Sequence, residues 1–335
     1  MKDNGVKLAI IGATGLVGRT MAKVLEDRES PIRQLFPVAT DKSRGKSFPF
    51  HNAECKITGL KDQIWRQTDV ALLSAGSDVA KGWIPRLIEA GITCIDNSSA
   101  FRQNENVPLV VPEVNADTIS EQHKIIANPN CSTIQLVMAL APLHQAYRLK
   151  EVVVCTYQSA SGAGNKGKSR LLAQQSGDMS GTDPFPHILA DNLIPGIGEL
   201  DDNGYFSEET KLICETRKIL RLPGLDVFPT AVRVPVTHCH GESVHLFFDR
   251  EVHPEEARSI LQASPGITVI DEPGVDKYPL PSECVGDDNV FVGRIRQTPG
   301  QSHSLDVWIV TDNLRKGAAT NAVQILEYLI SKQYI

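Results

Sequence analysis

The stretch Lys7-Leu8-Ala9-Ile10-Ile11-Gly12-Ala13-Thr14-Gly15-Leu16-Val17-Gly18 decides the fold of this chain. Its first five residues are an apolar run suited to a buried strand, and apolar residues then recur at helical spacing through Met21, Val24 and Leu25. Strand, glycine turn and helix in that order lay a pyrophosphate on a helix N-terminus. The glycines are spaced GxxGxxG, one register from the commoner GxGxxG, so a tight turn without a ligand is the competing reading of these residues alone. A second strand, residues 35–39, runs into Thr40-Asp41-Lys42-Ser43-Arg44-Gly45-Lys46, where a dinucleotide's adenosine ribose would lie. Asp41 suits a bare 2′-hydroxyl, whereas Lys42, Arg44 and Lys46 suit a 2′-phosphate. Three cations against one acid favour NADP, with NAD as the alternative.

The alternation continues outward from there. Val70-Ala71-Leu72-Leu73 ends in Ser74-Ala75-Gly76-Ser77, whose small side chains let a cofactor approach the backbone. Helical periodicity through Val79, Trp83, Ile84, Leu87 and Ile88 stops at Gly91, and a strand over residues 92–95 delivers Asp96-Asn97-Ser98-Ser99-Ala100-Phe101-Arg102. This pattern predicts an α/β, Rossmann-like, doubly wound parallel sheet with its site at the strand C-terminal ends. A further strand, Lys124-Ile125-Ile126-Ala127, meets the turn Asn128-Pro129-Asn130, after which Cys131, Ser132 and Thr133 open an apolar helix through Ile134, Val137, Met138 and Ala141. Cys131 therefore falls at a helix N-terminus, where unpaired N–H groups favour the nucleophilic thiolate over the thiol. A small buried apolar residue is the bland alternative for a lone cysteine.

Beyond that helix the texture changes. β-prone runs at residues 152–157, 231–236, 244–248, 267–270, 290–295 and 305–311, with few helical patterns between them, predict a second, α+β domain with a mixed or antiparallel sheet. The Gly-, Pro- and Asp-rich runs 177–204 and 271–288 suit loops that cover a site or a subunit contact. A last helix, residues 314–330, puts Ala318, Ala322, Ile325, Leu326 and Leu329 on one face, which is expected to return to the first domain. The predicted division is residues 1–130 with 313–335 as a dinucleotide-binding domain, and 131–312 as a catalytic and dimerisation domain.

Composition narrows the function classes. At 335 residues the chain is long enough for two domains, and 34 basic against 40 acidic residues, without a long run of one sign, argues against nucleic acid or a membrane surface as partner. No apolar run reaches transmembrane length, and Met1-Lys2-Asp3-Asn4-Gly5 lacks an apolar signal core, so a cytoplasmic protein is expected. Seven widely spaced cysteines (Cys55, Cys94, Cys131, Cys155, Cys214, Cys239, Cys284) without a Cys-x-x-Cys pair argue for thiols in a reducing compartment, against a disulfide framework and against structural zinc.

Three stretches beyond Cys131 carry side chains with chemical uses. Gln158-Ser159-Ala160-Ser161-Gly162-Ala163-Gly164 offers an amide able to orient a carbonyl, or else a flexible surface loop. Ser207-Glu208-Glu209-Thr210-Lys211 begins a helix with Ser207 as expected N-cap, and Glu208 and Lys211 share a face, by themselves a solvated ion pair. Residues 232–243 bring Arg233, a fork for a carboxylate or phosphate, close in sequence to His240, suited to proton transfer near neutral pH. His238, Cys239, His240 and His245 match no zinc spacing, so no metal is expected.

Together, and in this order along nearly the whole chain, these stretches resemble the aspartate-semialdehyde dehydrogenases. The resemblance rests on 12–18, 96–102, Val111-Pro112-Glu113-Val114-Asn115, 128–133, 158–164, 208–211, 233–240 and Asp312-Asn313-Leu314-Arg315-Lys316-Gly317-Ala318-Ala319. It implies that Cys131 is the nucleophile that carries an acyl thioester, His240 the acid–base catalyst and Gln158 the group that orients the substrate. It implies further that Arg233 grips the α-carboxylate, Glu208 meets the ammonium, Arg102 and Lys211 hold the phosphate, and Asn130 belongs to the substrate site. On the cofactor side it implies Gly12, Thr14, Gly15, Leu16 and Val17 at the pyrophosphate, Thr40 and Lys42 at the ribose, and Ala75, Ser161, Gly162 and Asn313 nearer the nicotinamide. The implied small molecules are aspartyl phosphate, aspartate semialdehyde and inorganic phosphate, and the implied assembly is a homodimer or a dimer of dimers. The family's 2′-phosphate site usually has Ser or Thr followed two residues on by Arg; here Thr40-Asp41-Lys42 keeps the charge, loses the fork and adds an acid. Three rivals compete: an N-acetyl-γ-glutamyl-phosphate reductase, disfavoured because an N-acetylated substrate has no use for Glu208; a non-catalytic nucleotide-binding relative; and a cysteine hydrolase.

Overall fold

The computed structural model describes residues 5–51, 53–62 and 64–335, and the chain divides into two units: the first runs to Pro129 and resumes over Ala318–Ile335, and the second is Asn130–Gly317. The reading of residues 1–4 as lacking a signal core lies outside the described residues.

The first unit contains, in chain order, Val6–Ile11 (β1), Leu16–Asp27 (α1), Ile32–Val38 (β2), the hairpin Ser47–Phe50 (β3) and Ala53–Lys56 (β4), Val70–Leu73 (β5), Ser77–Glu89 (α2), Thr93–Asp96 (β6), the short turn Pro112–Asn115 (α3) and Ile125–Ala127 (β7). Its main sheet has the order β2-β1-β5-β6-β7, with every neighbouring pair parallel. From β1 the chain crosses through α1 to β2 on one side, and from β5 through α2 to β6 on the other. The crossovers diverge between β1 and β5, which opens a crevice at the C-terminal ends of those two strands. Continuous apolar runs suit such a sheet because both faces are covered. On β1, Leu8 and Ile10 pack into one core with Met21, Leu25 and, from the C-terminal helix Asn321–Ser331, Ile325, Leu326 and Leu329. Ala9 and Ile11 enter the opposite core with Leu73, Ile84 and Leu87. Asn321 fixes that returning helix by donating to Val110 O (2.8 Å) and Asn128 Oδ1 (2.7 Å).

The second unit contains Cys131–Tyr147 (α4), Leu149–Gln158 (β8), Gly164–Gln175 (α5), Ser207–Leu220 (α6), Asp226–Arg233 (β9), His240–Phe248 (β10), Pro254–Gln262 (α7), Ile267–Val269 (β11), Pro281–Cys284 (α8), Val290–Arg296 (β12) and Ser304–Thr311 (β13). The sheet order is β11-β12-β13-β10-β8-β9; β8–β9 and β11–β12 are parallel and the other pairs antiparallel, so the sheet is mixed. Helix α4 is apolar around most of its circumference because it lies between layers, against β8, β10 and β13 on one side and α6 and α7 on the other. One helix goes beyond the sequence reading, and one expectation is corrected. Residues 164–175 form a helix, hidden in the sequence because only Gly167, Leu171 and Gln174 of it are buried. The run 271–288 is not one loop: it holds a bridge between Glu272 and Lys277 and the turn α8. Among the described residues no helix is long and apolar enough to cross a membrane.

Candidate active site

The site in the second unit is assembled from the end of one helix and one row of a sheet. Asn130 caps α4: its Oδ1 accepts the N–H groups of Ser132 (2.9 Å) and Thr133 (3.4 Å), which leaves Cys131 as the first helical residue. The other atoms of Asn130 are fixed from α6. Its Nδ2 donates to Glu208 Oε1 (2.7 Å) and its backbone N–H to Glu215 Oε2 (2.7 Å). Glu208 and Glu215 stand seven residues apart on that helix and hence on one face.

Glu208 is not in a solvated pair. Its side chain is 8% exposed, it accepts Lys211 Nζ at 3.0 Å, and it also accepts Gln158 Nε2 at 3.2 Å. Burial pushes its carboxyl up, but the Lys211 charge and the hydrogen bonds from Lys211, Asn130 and Gln158 outweigh that and hold it below the ordinary range. Ser207 is not the N-cap of α6. Phe206 is, and Glu209 supplies the missing partner by accepting the Phe206 N–H at 2.8 Å, because an acid at the third position reaches back over the first turn.

The sheet supplies the rest in one row. Arg233 on β9 lies opposite Gln158 on β8, His240 on β10 lies opposite Thr311 on β13, and the Gly241–Tyr157 pairing sets His240 beside Gln158. Side chains of one row share a face, and all four are buried. Arg233 Nη1 donates to Ser159 O at 2.7 Å. Burial pulls its guanidinium down, opposed by the negative charge of Glu208 and, when it is ionised, by Cys131. Two glycines make room: a Cβ on Gly162 would lie 2.7 Å from Arg233 Nη1 and 3.3 Å from His240 Nε2, and one on Gly317 would lie 3.1 Å from Cys131 Cβ.

His240 is held through Nδ1, which lies 3.1 Å from both the backbone N and Oγ of Ser159. The Ser159 and Ser161 hydroxyls each donate to Asn313 Oδ1 at 3.1 Å, and the Cys239 N–H donates to the same oxygen at 3.1 Å. His240 Nε2 is buried without a hydrogen-bond partner. Burial, and then the Arg233 charge, push the imidazole down to about 3.

The remaining residues singled out in the sequence lie in the first unit. Gly12 has φ +88°, and a Cβ there would lie 2.4 Å from Ser74 O; one on Gly18 would lie 2.3 Å from Gly12 O. The turn thus needs glycine at both ends, and Gly15 caps α1 without a side-chain bond, so the first N–H groups of the helix face a cradle that fits a pyrophosphate. Thr14, Leu16 and Val17 stand half-buried around it, and Ala75 follows β5. Thr40, Asp41 and Lys42 are exposed after β2, while Arg44 is paired with Asp62. Arg102 is buried and donates from Nη2 to Asn97 O at 2.8 Å. Among the described residues no three His, Cys, Asp or Glu side chains form a metal-holding group.

Two site residues escaped the sequence reading. Ser159 was visible only as one of several small residues. Glu215 left a faint signal, an acid recurring seven residues after Glu208 on a helix face otherwise filled by Leu212 and Ile219.

Known proteins give this arrangement a family. Residues 7–122 match the family model "Semialdehyde dehydrogenase, NAD binding domain", and residues 140–316 match "Semialdehyde dehydrogenase, dimerisation domain". The aspartate-semialdehyde dehydrogenase of Aquifex aeolicus is 45% identical over 99% of this chain and 100% of its own length. That of Legionella pneumophila is 45% identical over 97% and 95%. The crystal structure of aspartate semialdehyde dehydrogenase II from Vibrio cholerae, complexed with ASA, superposes with a TM-score of 0.95 at 40% identity, covering 98% of each chain. With the whole length matched and both units accounted for, the chain belongs to the aspartate-semialdehyde dehydrogenase family of oxidoreductases.

Proposed function

We propose that this chain reduces L-4-aspartyl phosphate to L-aspartate 4-semialdehyde with NADPH, and runs the phosphorylating oxidation in reverse, through an acyl thioester on Cys131. The observation that carries the reading is the convergence of a buried anion, Glu208, and a buried cation, Arg233, on the Asn130–Cys131 helix end. A substrate with a free ammonium and an α-carboxylate uses both, and an N-acetylated one leaves Glu208 without a function.

The thiolate of Cys131 attacks the acyl carbon, and the acyl–oxygen bond breaks with its electron pair leaving on phosphate. Gln158 orients the carbonyl, Arg233 holds the α-carboxylate, and Arg102 and Lys211 take the phosphate. The Gly12 to Gly18 turn and Ala75, with Ser161, Gly162 and Asn313, would hold a nicotinamide dinucleotide, which would supply the hydride for the reduction. His240 acts at Nε2: it takes the Cys131 thiol proton as the sulfur attacks and returns it to sulfur as the thiohemiacetal collapses to aldehyde. With Nδ1 accepting the Ser159 N–H, Nε2 carries a proton; with Nδ1–H turned to Ser159 Oγ, Nε2 is the base. The low proton affinity of the ring disfavours the charged imidazolium, so the ring returns to neutral when it passes the proton on.

The match to a dimerisation domain supports a homodimer, and seven cysteines without a disulfide support a cytoplasmic site of action. The product would feed biosynthesis of lysine, threonine, methionine and isoleucine, and of diaminopimelate. Initial rates with aspartate semialdehyde, phosphate and NADP or NAD test the proposal. Turnover with NADP, abolished in Cys131→Ala, is the expected result; turnover of the acetylated glutamyl aldehyde instead overturns it.

A further inference from the structure

Behind Cys131 and His240 the same two elements carry a second pair. Gln135 is four residues after Cys131 on α4 and faces the same way; Glu242 is two residues after His240 on β10 and shares its face of the sheet. Helix and strand pack together, and both side chains are fully buried. Neither oxygen of Glu242 and neither polar atom of the Gln135 amide makes a hydrogen bond of normal geometry, although the amide acts on the carboxyl. Four orphaned polar atoms in a core are costly unless they serve one another.

We propose that Gln135 and Glu242 form an acid–amide pair that sets the separation of Cys131 and His240, which makes both of them positioning residues. The proposal rests on the reading of Cys131 as nucleophile and His240 as its proton partner. Burial pushes the Glu242 carboxyl well above the carboxylate range, against a smaller pull from Gln135. A protonated carboxyl offers one donor and one acceptor, which complement the carbonyl and the N–H of the amide, whereas a carboxylate would strand the amide carbonyl. The pair links the helix of the thiol to the strand of the imidazole one repeat behind the reacting atoms.

The test uses the full chain in three variants, Glu242→Ala, Gln135→Ala and Glu242→Gln, with Cys131→Ser and His240→Ala as references. Two readouts are taken: kcat and KM with aspartate semialdehyde, phosphate and NADP, and the pH midpoint for alkylation of Cys131 by iodoacetamide, located by peptide mass. Both alanine variants are expected to lose about tenfold in kcat with KM within about threefold, and to move the alkylation midpoint in the same direction as His240→Ala. Glu242→Gln, which keeps a donor and an acceptor, retains at least about a third of kcat. The proposal is overturned if folded Glu242→Ala keeps the wild-type midpoint and kcat, or if Glu242→Gln is as impaired as Glu242→Ala. If Glu242→Ala does not fold, Gln135→Ala is judged by the same criteria. A wild type that alkylates normally but turns over no aspartate semialdehyde refutes the functional reading, and the midpoints still decide the pair.

Discussion

Ser159 holds His240 twice, with its backbone N–H and its Oγ each 3.1 Å from Nδ1. One residue thereby has a partner ready for either state of that nitrogen. Ser159→Ala keeps the N–H contact and removes the hydroxyl. We expect kcat to fall about tenfold, with the pH–rate profile losing its base-dependent limb and cofactor affinity unchanged. Initial rates across pH check this, and an unaltered profile would refute the double role.

Gly162→Ala places a methyl group 2.7 Å from Arg233 Nη1 and 3.3 Å from His240 Nε2. Both side chains must move, so kcat/KM should drop by about a hundredfold, since small misplacements at a reacting centre cost that much. Circular dichroism and the thermal midpoint separate this from unfolding.

Lys211→Met strands Glu208, whose charge is held in a nearly closed site by Lys211, Asn130 and Gln158. A loss of about 2 kcal/mol in urea unfolding is expected, partly recovered by adding Glu208→Gln. The Glu208 carboxyl lies below its ordinary range, so its stabilising contribution is present above the unfolded value and disappears as pH falls through the lowered one.

His240 gives an acid sensitivity of its own. The unfolded chain takes up its proton near 6.5 and the folded one only near 3, so the unfolded state binds more protons between those values. Stability therefore falls as pH drops through that window, by about 1.4 kcal/mol per pH unit for one proton. His240→Phe should flatten that slope in urea titrations between pH 6 and pH 4, both inside the window; an unchanged slope would contradict the buried neutral ring.

Under the proposed reading, cofactor choice would turn on a few exposed residues. Arg44 is paired with Asp62, so on that reading Thr40, Lys42 and Lys46, all exposed, would meet a 2′-phosphate beside the acid Asp41. Asp41→Ala should raise the NADP-over-NAD ratio of kcat/KM about tenfold by removing that repulsion. The ratio is read from initial rates with each cofactor.

Much of this was legible in order along the chain. The strand-turn-helix of residues 7–18, the alternation that follows and the one-sided C-terminal helix all follow from local periodicity, because each element's buried face repeats within a few residues. Helix α5 was not legible, since it buries too few apolar side chains to leave a period. Nor was the capping of α6 by Glu209, which competes with a better-looking Ser207 one residue after the cap.

The sequence by itself determined the residue types of the site: a thiol at a helix start, an imidazole and a guanidinium close together in the chain, an acid and a lysine one turn apart. What only the tertiary structure decided was their partners. Register alone sets Arg233, Gln158 and His240 in one row, and packing alone turns Glu208 from a surface ion into a buried anion. Both are long-range outcomes: a side chain's environment depends on residues far away in the chain, and local spacing does not record which of them arrive.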